Sequence, residues 1–170
     1  MRVSLLVFSV ALILSAETVA GLKWTAPAGW KSEGARPMRA ATYNVPPASG
    51  DQDSAECAVY FFGNGQGGSV QANLDRWKDQ VRGPGGKPAE AKILKRTVHG
   101  LAVTTIDSSG EYSGMGGPMS SQATVKTGYR LIGAIVEGPS GNVFIKFAGP
   151  AKTIAQNQPK FEQLLGSFEK

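Results

Sequence analysis

The chain has 170 residues, of which 41% are hydrophobic and 18% charged, and its formal net charge is +5. This length fits one domain behind a short leader and is too short for two ordinary domains. The chain contains a single cysteine, which excludes an intrachain disulfide. It also contains a single histidine, and one cysteine with one histidine is too few for the usual zinc sites. The basic residues are not interleaved with aromatic ones, so we expect no nucleic-acid partner.

The N-terminus has the pattern of a secretory signal peptide. Arg2 precedes an apolar run at residues 3–14, and Thr18 and Ala20 place small side chains where a signal peptidase reads them. We therefore predict a signal peptide at residues 1–20 and a single exported domain at 21–170, either periplasmic or secreted. Cleavage after Ala16 is the alternative. The apolar run of about 12 residues falls short of the ~20 that a span needs, so we expect no stable membrane span after cleavage.

Short elements separated by turn residues follow along the mature chain. Strands are predicted at residues 22–26, 38–45 and 55–62, the last apolar on both faces and containing Cys57 as a buried thiol. Ser69 is a typical N-cap for an amphipathic helix with Val70, Leu74, Trp77 and Val81 on one face. Trp24, Trp30 and Tyr43 either fill the core or line a ligand groove.

The second half of the sequence predicts two hairpins and a closing helix. Strands are expected at 91–98, 101–112, 129–137 and 142–147, with turns at 99–100 and 139–142 that are short enough to make the pairs antiparallel. A helix over 150–168 is expected to be interrupted at Pro159. The pattern indicates an α+β fold, an antiparallel sheet of about six to seven strands with helices packed on its faces.

The order of these elements and the turn segments between them resemble those of a known superfamily. The relevant segments are 26–30 (APAGW), 72–77 (ANLDRW), 149–154 (GPAKTI) and 164–168 (LLGSF). Together they resemble the PsbP-like superfamily, which includes the photosystem II protein PsbP, a nuclear-import factor that binds Ran, and DcrB-type envelope proteins. The chain looks most similar to small exported bacterial members of unknown function. The resemblance implies an α/β/α sandwich with binding or assembly roles, and it implies no shared catalysis or cofactor.

A glycine-rich turn precedes the first helix. Gly63, Gly65 and Gly68 match the spacing G-x-G-x-x-G, but no acidic residue follows at the end of a second parallel strand, as dinucleotide binding would require. We interpret the turn as a connection in which glycine supplies positive φ. The amides of Gly67, Gly68 and Ser69, at a helix N-terminus, are predicted to hold an anion or a carboxylate of a partner.

A second glycine-rich segment, at residues 113–120, carries two flexible apolar side chains. Met115 and Met119 suit an adaptable contact surface. If this segment and residues 63–69 lie at the same end of the sheet, we expect them to form one binding rim.

The remaining polar residues give little support to catalysis. His99 lies at a predicted turn, and a triad with Asp107 and a serine would lack the nucleophile elbow G-x-S-x-G. Asp51, Asp53 and Glu56 form a D-x-D-x-x-E cluster, which is either a solvated acidic turn or a weak calcium loop.

We therefore predict an exported, non-catalytic binding or accessory domain without a cofactor or metal. Its expected partner is an unidentified protein or small molecule of the cell envelope. A small hydrolase that uses His99 and a structural envelope component are the alternatives.

Overall fold

A computed structural model of the chain describes residues 16–114 and 125–170. The two α-helices are α1 (Val70–Asp79) and α2 (Ala151–Gly166). In chain order the strands are β1 (Ala16–Val19), β2 (Leu22–Thr25), β3 (Lys31–Ser32), β4 (Arg39–Val45), β5 (Ala55–Tyr60), β6 (Val81–Arg82), β7 (Ala91–Val98), β8 (Leu101–Tyr112), β9 (Lys126–Gly138) and β10 (Gly141–Pro150).

Eight strands form one antiparallel sheet, and β1 and β2 form a separate hairpin. The order across the sheet is β3-β4-β5-β10-β9-β8-β6, with β7 pairing on the same edge of β8 as β6. The predicted α+β fold is therefore confirmed. Six of the eight strands correspond to the expected long ones, and the other two contain only two residues each.

Helix α2 covers one face of the sheet with a large apolar core. Phe161, Leu164 and Leu165 are fully buried against strand residues such as Phe147. Trp24, 1% exposed, stacks on Phe168 at 5.2 Å between ring centroids and therefore belongs to this core. The other two aromatic residues proposed for a ligand groove, Trp30 and Tyr43, are buried in the same cluster, so all three fill the core.

Helix α1 covers part of the opposite face. Leu74 and Trp77 are its inward residues, and they pack with Ile106 and Ile135 of the sheet. The helix lies over β6, β8 and β9. Gly133 of β9 allows this approach, because a Cβ there would overlap the six-membered ring of Trp77.

Most local predictions agree with the structure, with exceptions at Val81 and Pro159. Val81 was expected on the apolar face of α1, but it lies beyond the end of that helix, in β6. Ser69 is the N-cap of α1, and its hydroxyl accepts a hydrogen bond from the Ala72 amide at 3.2 Å. Helix α2, in contrast, continues through Pro159, so the predicted interruption is wrong. Pro159 has no N–H, so the carbonyl of Ala155 loses its hydrogen-bond donor. Both residues are exposed on the outer side of the helix, where water can donate to that carbonyl. Buried residues before and after Pro159 hold the helix on the sheet.

The hairpin β1–β2 includes residues assigned to the predicted signal peptide. Glu17 of β1 accepts a 2.9 Å hydrogen bond from the hydroxyl of Tyr43, which itself accepts one from Trp24 Nε1. Cleavage after Ala20 would remove β1 and this contact. Within residues 16–114 and 125–170, no helix is long and apolar enough to cross a membrane.

Candidate functional site

The glycine-rich turn has the structure expected of a strand-to-helix connection. Gly63, Gly65, Gly67 and Gly68 all have positive φ, between 69° and 108°. The strand before the turn, β5, is antiparallel to both of its neighbours, so the parallel β-α-β unit of a dinucleotide site is not formed.

The turn is held by a buried asparagine that the sequence pattern did not indicate. Asn73 of α1 is 2% exposed, and its Nδ2 donates to the carbonyls of Gly67 at 2.8 Å and Ser69 at 2.9 Å. A Cβ at Gly67 would lie 2.6 Å from the Phe144 ring and 2.7 Å from the Phe62 ring. Gly67 is thus required by its φ of 87° and by this close packing.

An open depression of about 510 Å³ lies beside this turn. It is lined by the turn, including Gly68 and Ser69, and by the connection between β9 and β10, including Pro139 and Asn142. The residues that line it carry no charged side chain. Anion binding by the amides of Gly67, Gly68 and Ser69 stays a prediction.

The condition for a shared binding rim is not met. Residues 63–69 follow the end of β5 that lies beside the start of β10, at the same end of the sheet as the β9–β10 turn. The other glycine-rich segment is attached where β8 ends and β9 begins, at the opposite end of β9. Thirteen strand residues separate the two ends, about 40 Å. Met115 and Met119 themselves lie outside the described residues.

The residues weighed for hydrolysis are far apart. His99 is exposed in the β7–β8 turn, and its Nδ1 lies 2.9 Å from the Phe168 carbonyl oxygen. Asp107 lies six residues beyond Leu101 in β8, which corresponds to about 20 Å of strand. Its two carboxylate oxygens accept hydrogen bonds from Arg130 at 2.8 and 2.6 Å. A His99–Asp107 pair is therefore not assembled.

The three acidic residues of the D-x-D-x-x-E cluster have separate structural partners. Asp51 accepts hydrogen bonds from the amide and hydroxyl of Thr153, so it caps α2, where Pro150 offers no side-chain cap. Asp53 accepts hydrogen bonds from the Tyr129 hydroxyl at 2.7 Å and from Lys126 at 2.9 Å, and these bonds lower the pKa of Asp53.

Glu56, the third member, points to the open part of the α1 side and pairs with Arg39 at 3.0 Å. Because the carboxylates face different partners, they do not form a calcium loop. No group of three or more metal-ligating side chains is found within the ranges that the structure describes.

A group of interacting charged and aromatic side chains lies on the α1 side of β4, β5, β8 and β10, next to the area that α1 covers. We call it the cationic–aromatic face and define it by Arg39, Glu56, Tyr60, Tyr112 and Lys146. The Arg39 guanidinium lies 5.3 Å from the centroid of the Tyr60 ring, and Lys146 Nζ lies 5.3 Å from that of Tyr112. Both distances are within the range of cation–π attraction.

Strand register brings these residues together from distant parts of the sequence. Tyr60 is opposite Phe144, and Lys146 is opposite Ala58, so alternate residues of β5 and β10 share the face. A bulge at Ala40 in β4 turns Arg39 to the same side. Phe62, 37% exposed, stacks on Tyr60 at 6.0 Å and extends the aromatic surface.

Burial shifts the proton affinities of this face. It lowers the pKa of the Lys146 ammonium from 10.5 to about 8, because the half-buried charge has lost part of its hydration. Burial likewise raises the pKa values of Tyr60 and Tyr112, which keeps both hydroxyls neutral. The face therefore contains one carboxylate, one permanent cation and one amine whose pKa is about 8, together with two neutral phenols. Tyr112 is only 1% exposed and lies beneath Lys146, so of the two phenols only Tyr60 is accessible to a partner.

One signal of this face was visible in the sequence. Lys146 interrupts the apolar stretch 143–148 (VFIKFA), whose other residues are all buried. A lysine in a strand covered on both sides needs a partner or a route to water. Arg39 and Glu56 gave no such signal, because their contact depends on strand pairing and on the bulge.

Comparisons with known proteins show the fold of the chain and do not identify its function. The cyanobacterial PsbP (CyanoP) from Synechocystis sp. PCC 6803 is similar, with 11% identity, a TM-score of 0.51, and coverage of 97% of this chain and 98% of that one. A Pseudomonas aeruginosa protein of unknown function, PA94, gives 12% identity, a TM-score of 0.50, and coverage of 91% and 94%. No family model matches the sequence, and no curated protein matches it. The resemblance to PsbP is thus confirmed for the fold.

Proposed function

We propose that this chain, which has a PsbP-like fold, is an exported, non-catalytic binding or accessory domain whose contact surface is the cationic–aromatic face. The observation that carries the proposal is the placement of Arg39 and Lys146 over tyrosine rings on the part of the sheet beside α1. Such charges are costly to bury and are common where a protein recognises another molecule.

The chemistry of the face favours a partner that carries a carboxylate or phosphate next to an apolar or aromatic group. Arg39 provides a planar set of donors, of which Glu56 engages only part. Lys146 provides a second cation, so the three charged side chains carry a net charge of +1 below about pH 8. Phe62 and Tyr60 provide the apolar area beside them.

The separation of the residues weighed for a hydrolase supports the non-catalytic part of the proposal. His99 is about 20 Å of strand from Asp107, and Asp107 is engaged by Arg130. The export part of the proposal comes from Arg2 and the apolar run at residues 3–14.

The test compares binding by two variants in which two cationic side chains are replaced by neutral ones. The Arg39→Gln/Lys146→Met variant removes both cations of the face. Lys87→Gln/Lys152→Met is a control with the same loss of charge at two exposed positions that lie outside the face and outside β7. Each mature protein, checked for folding by circular dichroism, is used to recover partners from the native envelope. We expect wild type and control to recover the same partner and the face variant to lose it. Equal recovery by all three would refute the assignment of the face.

Enzyme assays test the non-catalytic part separately. The mature protein is incubated with generic ester, peptide, phosphate and glycoside substrates, with His99→Ala as the matched variant. We expect no turnover by either. Turnover that His99→Ala abolishes would establish the hydrolase instead, and envelope association that resists salt washing would favour the structural component.

A further inference from the structure

The β7 edge of the sheet has the properties of a second interaction surface, separate from the cationic–aromatic face. In the described part of the chain, β7 pairs only with β8, through all eight of its residues from Ala91 to Val98. Alternate residues of such a strand direct their N–H and C=O groups away from the sheet. The described residues contain no backbone hydrogen bond from another segment to this outer edge.

The side chains of β7 make this edge basic. Lys92 and Lys95 are exposed, and no carboxylate lies within 4.0 Å of either ammonium among the described residues, which include every Asp and Glu of the chain. Arg96 also projects from the strand and pairs with Glu162 at 2.6 Å. Leu94, between these cations, is 54% exposed and adds an apolar contact point.

From this combination we infer that β7 binds an extended acidic segment of another protein by adding it as a further antiparallel or parallel strand to the sheet. Main-chain hydrogen bonds to the outer edge supply the affinity, and pairing of acidic side chains with Lys92 and Lys95 supplies the choice of partner. An apolar residue of the added strand contacts Leu94.

A second copy of the chain fits this edge poorly. Pairing of β7 with itself would place Lys92, Lys95 and Arg96 of both copies in one narrow strip, and such like-charge pairs across strands are unfavourable. Lysines on an edge strand discourage self-association in this way. The same lysines attract an acidic strand, so the charge pattern selects against the chain itself and in favour of an acidic partner.

The test uses capped peptides of defined composition and the mature protein. The probe is an eight-residue peptide, the length of β7, that repeats Glu-Glu-Val-Val. Each face of the added strand then carries both glutamate and valine, which is needed because Lys92 and Lys95 lie on opposite faces of β7 and Leu94 lies on the same face as Lys92. One matched peptide has lysine in place of glutamate, and another has the acidic sequence with its internal amides methylated. Binding is followed by nuclear magnetic resonance of the backbone amides, together with hydrogen exchange. We expect the acidic peptide to bind and to slow exchange at alternate amides of β7, which exchange rapidly in the free protein.

Charge reversal provides the matched variants. In Lys92→Glu/Lys95→Glu we expect the Kd for the acidic peptide to rise at least about tenfold, because attraction is replaced by like-charge repulsion, and the lysine peptide to bind instead. The control Lys31→Glu/Lys152→Glu makes the same change in net charge at two exposed residues outside β7. We expect it to bind the acidic peptide as wild type does.

Three results would overturn the proposal. Equal binding of the glutamate and lysine peptides would remove the charge selection. Undiminished binding of the methylated peptide would show attraction without strand addition. Concentration-dependent dimers that protect β7 in the absence of peptide would identify a second copy as the occupant.

Discussion

The Gly133→Ala variant tests how closely α1 packs on the sheet. The new Cβ would overlap the ring of Trp77 and lie 3.0 Å from Ile106 Cγ2. Trp77 is 5% exposed and lies in a packed cluster, so the ring cannot move without displacing α1. Overpacking of this kind costs about 1–3 kcal/mol.

The same substitution has a smaller favourable effect on the backbone. Alanine in a strand is better than glycine by about 0.5–1 kcal/mol, since less chain entropy is lost on folding. The net expectation is a decrease of about 1–2 kcal/mol in the free energy of unfolding, because overpacking exceeds the entropy gain. For a chain of this length that lowers Tm by about 2–8 °C.

Urea denaturation followed by far-ultraviolet circular dichroism measures the change. Gly166→Ala is the matched control, because that glycine ends α2 and no neighbouring atom lies within 4 Å of the position that its new methyl group would take. This control should be neutral or stabilising by up to about 1 kcal/mol. In the double variant Gly133→Ala/Trp77→Leu the smaller side chain relieves the overlap. Its decrease in the free energy of unfolding should therefore be smaller than the sum of the decreases in the two single variants. A Gly133→Ala protein as stable as wild type would refute the packing argument.

Three further predictions concern individual side chains. Asp51→Ala removes the cap from Thr153 and should cost about 0.5–2 kcal/mol in urea denaturation, and a loss no larger than that of exposed Asp79→Ala would contradict the capping role. Because the pKa of Lys146 falls from 10.5 to about 8 on folding, the unfolded state holds more protons between these values, so wild-type stability should rise with pH there. Lys146→Met should be more stable than wild type near neutral pH, and its free energy of unfolding should lack this part of the rise with pH. If the free energy of unfolding rose equally steeply with pH in the two proteins, the buried charge on Lys146 would be contradicted. The Cys57 thiol, whose pKa is raised by burial, should react with a thiol reagent only after unfolding, and rapid reaction of the folded protein would disprove its burial.

Local chemistry in the sequence determined most of the individual elements. The cap at Ser69, the apolar spacing of α1 and the short turn at 99–100 act over a few residues, and the structure has the corresponding helix and hairpin. The apolar strand around Cys57 was expected to be covered on both faces, and this is wrong for one of them. Cys57 and Val59 are fully buried on the α2 side, whereas Glu56 and Tyr60 remain partly exposed on the α1 side.

Tertiary structure decided where the functional candidates lie. Arg39, Glu56 and Lys146 meet because β4, β5 and β10 are neighbours and because a bulge at Ala40 turns Arg39 to their side. Strand order likewise put the strand ends to which the two glycine-rich segments are attached at opposite ends of the sheet. It also gave Asp51 its place as the cap of α2, about a hundred residues along the chain. These contacts depend on which backbone edges pair, and that is set by the burial of the whole core, which no short stretch of sequence encodes.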